Sequence, residues 1–284
     1  MQSLQRIEPI DFLVIGHVTQ DITSEGLKTG GTVSYASLTA KACGLKVGIV
    51  TACEPTLFVP EFEDIHVIAH PSSETTTFEN ISTSEGRIQI IHRVAQNLNT
   101  THIPETWLNT PIVHLGPVAR EIDPSLVRAF PNSFIGATPQ GWLRHWDEDG
   151  RVTLGEWPEA AYVLEKLSAA VISIEDVHGD EKRIEEMMSS VRVLAVTEGF
   201  AGSRIYWNGD VRNFRPPQVD EIEPTGAGDI FAAAFFIRLQ ATRNPWEAAR
   251  FATLLASKSV TRRGLDSVPT VDEASEALLE IIAE

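Results

Sequence analysis

Seven short apolar runs punctuate this chain, and their spacing limits its folds more than any other feature. They occupy residues 11–16 (DFLVIG), 47–52 (VGIVTA), 65–69 (IHVIA), 112–116 (IVHLG), 133–137 (SFIGA), 170–174 (AVISI) and 193–197 (VLAVT). Each is too short for a helix and too uniformly apolar for a strand with one wet face, as a strand buried on both faces would be. Helical patterns separate several of them, over residues 30–45, 158–167 and 180–189, and the last third reads as helices at 226–240, 245–261 and 271–283. Strands alternating with helices give an α/β chain with a mainly parallel sheet and helices on both faces. One stretch departs from the rhythm: TTTFENISTSEGRIQIIHRV, residues 75–94, carries β-branched residues on both sides of SEG. It is more polar than the runs around it and is expected to be a hairpin, a small second sheet or lid.

The 284 residues contain no internal repeat, low-complexity stretch or linker, so residues 1–284 are expected to form one domain with this lid. The formal net charge of -16 argues against sequence-independent nucleic-acid binding, which needs Lys and Arg to displace counterions. Cys43 and Cys53 show neither metal-ligand spacing nor a disulfide framework, and are expected to be reduced thiols. The eight histidines form no metal-ligand pattern. No apolar run reaches the ~18 residues of a membrane span, and the N-terminus lacks the pattern of a secretory leader. The expectation is a cytoplasmic protein with no membrane or nucleic-acid partner.

The stretch EPTGAGDIFAAAFF, residues 223–236, concentrates the chemistry. A helix N-terminus leaves its first N–H groups unpaired and carries partial positive charge. Glycines let such a backbone approach an anion closely. Gly226, Ala227 and Gly228 therefore suit phosphate oxygens, and Asp229 falls in the first helical turn beside them. Asp229 could simply complement the helix dipole, worth up to about 1 kcal/mol, but that role needs no flexible turn in front of it.

These residues resemble the C-terminal signature of the ribokinase-like, PfkB-type carbohydrate kinases, Asp-Thr-x-Gly-Ala-Gly-Asp followed by an apolar helix. Thr225, Gly226, Ala227, Gly228 and Asp229 match it, whereas Glu223 and Pro224 replace the usual Asp-Thr. The resemblance implies a three-layer α/β/α sandwich with a mainly parallel central sheet and a small β lid, here from about residues 21–29 and 75–94. It implies that Asp229 is the catalytic base and that the amides of Ala227, Gly228 and Asp229 hold the charge of a transferred phosphoryl group.

Further matches follow in chain order. Asp21, after the first strand, corresponds to the family's acid that binds sugar hydroxyls, and a carboxylate can accept two of them. Gly30 and Gly31 match the N-terminal glycine pair that brings backbone close to the substrate, while Tyr35 stands near the place of a usual Asn. Thr197, Gly199 and Gly202 in VTEGFAG match the segment bordering the nucleotide, and Ala256 and Ser257 fall on the helix bordering the adenine. The family's Asn-x-x-Glu motif is absent, leaving Glu175 and Asp176 as the nearest acids for Mg²⁺, which prefers oxygen ligands. TPQGWLRHWDEDG, residues 138–150, offers Arg144 as a contact to substrate.

The chain is thus expected to use ATP and Mg²⁺, with room for a monovalent cation, to phosphorylate a sugar or cyclic polyol. A nucleoside kinase and a non-catalytic sugar- or nucleotide-binding relative are the alternatives. Unpaired lid edges would allow a homodimer through the lid.

Overall fold

The computed structural model describes residues 7–83 and 86–283. All seven apolar runs become strands of one nine-stranded sheet. In chain order the strands are β1 (Phe12–Ile15), β2 (Thr19–Thr23), β3 (Gly26–Gly30), β4 (Val47–Cys53), β5 (His66–Pro71), β6 (Thr77–Thr83), β7 (Gly86–Arg93) and β8 (Ile112–Leu115). They continue with β9 (Phe134–Ala137), β10 (Arg144–Trp146), β11 (Val152–Leu154), β12 (Ala169–Ser173), β13 (Val193–Thr197), β14 (Ser203–Trp207) and β15 (Asp210–Phe214). The large sheet runs β15-β14-β13-β12-β9-β8-β1-β4-β5. From β13 to β5 every pairing is parallel, and β14 and β15 extend it antiparallel at one edge. The sequence pattern did not single out these two strands, because their partly exposed, charge-bearing residues lack the apolar continuity of a buried strand.

Among the described residues, seven α-helices accompany the strands: α1 (Thr32–Ala42), α2 (Gln140–Leu143), α3 (Ala160–Leu164), α4 (Glu181–Ser190), α5 (Ala227–Thr242), α6 (Pro245–Ser259) and α7 (Val271–Ala283). Alternation along β1 shows why its residues are all apolar. Phe12 and Val14 join the core shared with α1, α5 and α6, whereas Leu13 and Ile15 join the core on the other face, with Trp107, Val163 and Ile184. The helix expected over 158–167 is confined to α3, a little more than one turn. Helix α5 is buried without interruption from Ile230 to Phe236, so it is apolar all round and lies between the sheet and its neighbours α1 and α6.

The lid is a separate four-stranded sheet, β3-β2-β6-β7. The hairpin β6–β7 falls where the polar stretch placed it, although Ser84 and Glu85 at its turn lie outside the described residues. Strands β2 and β3 supply the other half, over the segment expected at 21–29. A small antiparallel pair, β10–β11, sits beside the lid through an isolated bridge from Ile90 to Arg151. Among the described residues, no helix is long and apolar enough to cross a membrane.

Candidate active site

In the parallel sheet, β1 connects outward to β4 and β5 while β8 lies on its opposite side, so the order in which strands are added reverses between β1 and β8. Such a switch point opens a crevice beyond the strands' C-terminal ends. Gly16 and Gly116 end these strands, and the backbones come so close that a Cβ on Gly16 would lie 2.4 Å from the Gly116 carbonyl oxygen. A cleft of about 1260 Å³ opens above, and its lining draws together Asp21, Tyr35, Arg144, Asp176, Thr197 and Asp229.

Two helices begin in the crevice. Gly226 precedes α5 in the left-handed region (φ 83°), and a Cβ there would strike the Tyr35 ring at 2.3 Å. Glycine is therefore required twice over, by its backbone and by the ring packed against it. The Ala227 N–H is turned back onto the Pro224 carbonyl at 3.2 Å. That corrects the expected three-amide cradle: in this geometry the Gly228 and Asp229 amides are the ones left for an anion. Glu223, at the position that departs from the usual signature, accepts a hydrogen bond from the Gly264 N–H at 3.3 Å and so ties this turn to the short 3-10 turn that follows α6.

Asp229 is half-buried in the cleft. Burial lifts its carboxyl from 3.8 to about 6; the Thr32 hydroxyl bonded to it opposes that shift, the nearby Asp176 adds to it, and Arg144 opposes it. Thr32 opens α1 directly after the glycine pair and is itself buried. The sequence reading missed Thr32, although its place after Gly30 and Gly31 was the available signal. On the lid, the Asp21 carboxylate lies over Gly30, where a Cβ would come within 2.5 Å of Oδ2. A Cβ on Gly31 (φ 87°) would lie 2.7 Å from the His17 carbonyl oxygen.

Arg144 stands at the junction of α2 and β10. Its Nη1 donates to the Val118 carbonyl at 2.7 Å, and its guanidinium lies 5.1 Å from the centre of the Phe78 ring. It is thereby held between lid and body, within electrostatic reach of both acids. Tyr35 is only 3% exposed, and burial with the nearby Asp229, Asp21 and Glu223 raises its phenol far above neutrality. Its ring is the wall behind Gly226 as much as part of the cleft lining.

Glu175 and Asp176 follow β12. The Asp176 carboxylate accepts the Ser173 N–H at 2.9 Å and the Gln140 Nε2–H at 2.7 Å, closing a capping box over a short 3-10 turn. Burial raises its pKa against those bonds and the Arg144 charge, with Glu175 adding to the rise. Among the described residues, no group of three His, Cys, Asp or Glu side chains forms a ready metal cage. The local excess of carboxylates over Arg144 nonetheless fits a hydrated divalent cation, since such a cation favours oxygen donors and would offset their mutual repulsion.

The far end of the cleft is lined by Thr197, Gly199, Phe200, Gly202, Thr225, Ala256 and Ser257. Phe200 is 92% exposed at the rim. Gly202 (φ 101°) faces the Phe214 carbonyl so closely that no side chain fits. The Ser257 hydroxyl bonds the Leu254 carbonyl within its own helix at 2.8 Å, so Ser257 offers the cleft a small surface more than a donor.

The pfkB family carbohydrate kinase profile matches residues 160–271, the stretch that contains the α5 signature. A cytidine kinase from Thermococcus kodakarensis is 27% identical over 246 residues, covering 80% of this chain and 87% of that one. An inositol 3-kinase from Zea mays is 28% identical over 169 residues, covering 58% of this chain and 43% of its own. Among solved structures, a pyrophosphate-dependent kinase in the ribokinase family, complexed with a pyrophosphate analog and myo-inositol, superposes with a TM-score of 0.79 at 20% identity, covering 94% of this chain and 99% of the other. The ribokinase of Arabidopsis thaliana, complexed with ribose and ATP, gives 0.71 at 16% identity, with 95% and 99% covered. The chain thus has the ribokinase fold over nearly its whole length, and residues 160–271, which include the signature opening α5, match the pfkB family carbohydrate kinase profile.

Proposed function

We propose that this protein transfers the γ-phosphoryl group of ATP to a hydroxyl of a sugar or cyclic polyol. The observation that carries the reading is Asp229, a carboxyl poised at about 6 in the same helical turn as two amides available to an anion. At neutral pH it is ionised and within the range useful for a general base. The acceptor lies under the lid near Asp21, Gly30, Gly31 and Arg144. The acceptor O–H proton passes to an Asp229 carboxylate oxygen as that acceptor oxygen bonds the γ-phosphorus. The bond from the γ-phosphorus to its bridging oxygen breaks, and ADP leaves with that electron pair. The Gly228 and Asp229 amides hold the charge on the transferring group, where positioning and electrostatics do most of the catalytic work. Mg²⁺, held through its waters by Glu175 and Asp176, would supply charge neutralisation on the donor phosphates. The donor's base lies towards Thr197, Gly199, Gly202, Ala256 and Ser257.

A nucleoside acceptor is the second reading. It is favoured by the kinship with a cytidine kinase over most of the chain and by the flat wall that Phe78 and Arg144 make at the acceptor end. A non-catalytic binder is disfavoured because binding alone does not call for a base at Asp229.

The test is a phosphorylation screen with Mg²⁺ across sugars, polyols and nucleosides, with ATP and pyrophosphate as alternative donors, on the native protein and on Asp229→Asn. Acceptor-dependent turnover should fall by roughly 10²–10⁴-fold in the variant. Turnover that survives the substitution unchanged removes Asp229 as the base. Turnover with pyrophosphate alone removes ATP as the donor.

A further inference from the structure

His114 occupies the middle of β8 and is fully buried, an unusual place for an imidazole. The rings of Phe12 and Phe236 meet it at 84° in each case, with centroids 6.2 and 4.9 Å away. Its Nε2 lies 3.1 Å from the Thr138 hydroxyl oxygen, while its buried Nδ1 has no hydrogen-bond partner among the described residues. An apolar residue would fill this place without stranding a nitrogen. Burial pulls the ring's pKa down to about 3, so it is neutral and carries one proton.

The surroundings decide which nitrogen holds that proton. On Nδ1 it would be a buried N–H with no acceptor, the rarest kind of unsatisfied group in proteins. On Nε2 it is donated to Thr138 Oγ1, and only a lone pair goes unmatched. The choice has a consequence at the other end of the bond. With Nε2 donating, the Thr138 oxygen accepts, and its own hydroxyl proton is free to point elsewhere.

Thr138 directly follows β9 and lines the cleft, 7% exposed. A Cβ placed on Gly116 would lie 3.7 Å from Thr138 Oγ1 and 2.5 Å from Thr32 Cγ2, so the two threonines flank the same glycine. Thr32 in turn bonds Asp229. A group that gives a proton and a group that takes one therefore border one floor. That arrangement matches an acceptor with oxygens on two adjacent carbons.

We propose that His114 is a positioning residue which, by donating to Thr138, presents the Thr138 hydroxyl proton to the acceptor oxygen next to the one that is phosphorylated. The acceptor would accordingly be a vicinal diol, as in a cyclic polyol or a ribose ring. This rests on the kinase reading of the cleft.

The experiment uses whichever of myo-inositol, fructose or cytidine the native protein phosphorylates fastest, together with its analogue lacking the neighbouring hydroxyl. Thr138→Val should lower kcat/KM for the diol by roughly 10- to 100-fold. It should leave the already weaker deoxy analogue within about threefold. Thr138→Ser, which keeps the hydroxyl, should restore most of the loss. His114→Phe should reproduce the loss and add nothing to Thr138→Val. Equal losses on diol and deoxy acceptor, or independent losses from the two sites, would overturn the pairing.

Because His114→Phe could disturb the core, nitrogen NMR of the unsubstituted protein gives a second reading. It should place the His114 proton on Nε2, and a proton on Nδ1 refutes the proposal. That spectrum does not depend on turnover, so it separates failure of the pairing from failure of the kinase reading, which shows as no acceptor phosphorylated at all.

Discussion

A carboxyl group that must take a proton near neutrality needs a raised pKa, and in Asp229 the rise comes chiefly from burial. Two outcomes follow at the residue scale. The first is kinetic: kcat/KM for the acceptor should fall about tenfold per pH unit below about 6, as the base becomes protonated in the free enzyme. A pH–rate profile that stays flat down to pH ~4.5 contradicts the assignment. The second is thermodynamic. With the folded pKa near 6 and the ordinary value 3.8, the folded state binds more protons than the unfolded state between those limits. Stability contributed by this group is therefore lost as pH rises through that window. Asp229→Asn should raise stability at pH 7.5 by on the order of 1–3 kcal/mol, with the gain vanishing below pH ~4. Thermal melts of the two proteins at both pH values check it. Asp229 was legible because its glycine turn is contiguous in sequence. Thr32, Thr138 and Gln140 were not, since each takes its role from a partner 24 or more residues away in sequence.

At the scale of the element, the start of α5 depends on what is packed behind it. Gly226→Ala would place a methyl group against the Tyr35 ring and impose φ 83° on an alanine. The strain is of order 1–3 kcal/mol from the backbone alone, and the ring clash adds to it. The expected result is a lowered melting temperature together with a kcat loss that exceeds the loss in substrate affinity, because the Gly228 and Asp229 amides shift with the turn. Unchanged kinetics in a folded variant would show that the turn is only a connector. The same element shows the limit of sequence reading. GAG announces three amides at a helix start, yet the Ala227 amide is engaged by the Pro224 carbonyl. Which N–H groups remain free is set by the backbone angles of the turn, and residue types alone do not fix them.

At the scale of the whole molecule the cleft is lined from both the large sheet and the lid, and the lid has two unlike faces. Asp21, Phe78, Asn80 and Gln89 face the cleft. The alternate residues Ile22, Leu27, Ile81 and Ile90 therefore share the outer face, with Leu27 59% and Ile81 37% exposed. We propose that this outer face joins two copies of the chain. Light scattering should give twice the 31.2 kDa chain mass, and Leu27→Glu combined with Ile81→Lys should reduce it to one. A native mass of one chain counts against the interface. The sequence by itself determined the parallel sheet, the polar hairpin of the lid and the helix that presents Asp229. Buried strands need continuous apolar runs, and helix starts need local chemistry, so both are written in adjacent residues. Tertiary structure alone decided the antiparallel edge of β14 and β15, the placing of Arg144 over Phe78, the raised carboxyl of Asp229 and the pairing of His114 with Thr138. Those depend on which distant side chains exclude water from a group or turn a hydrogen bond towards it, and burial is a property of the packed molecule.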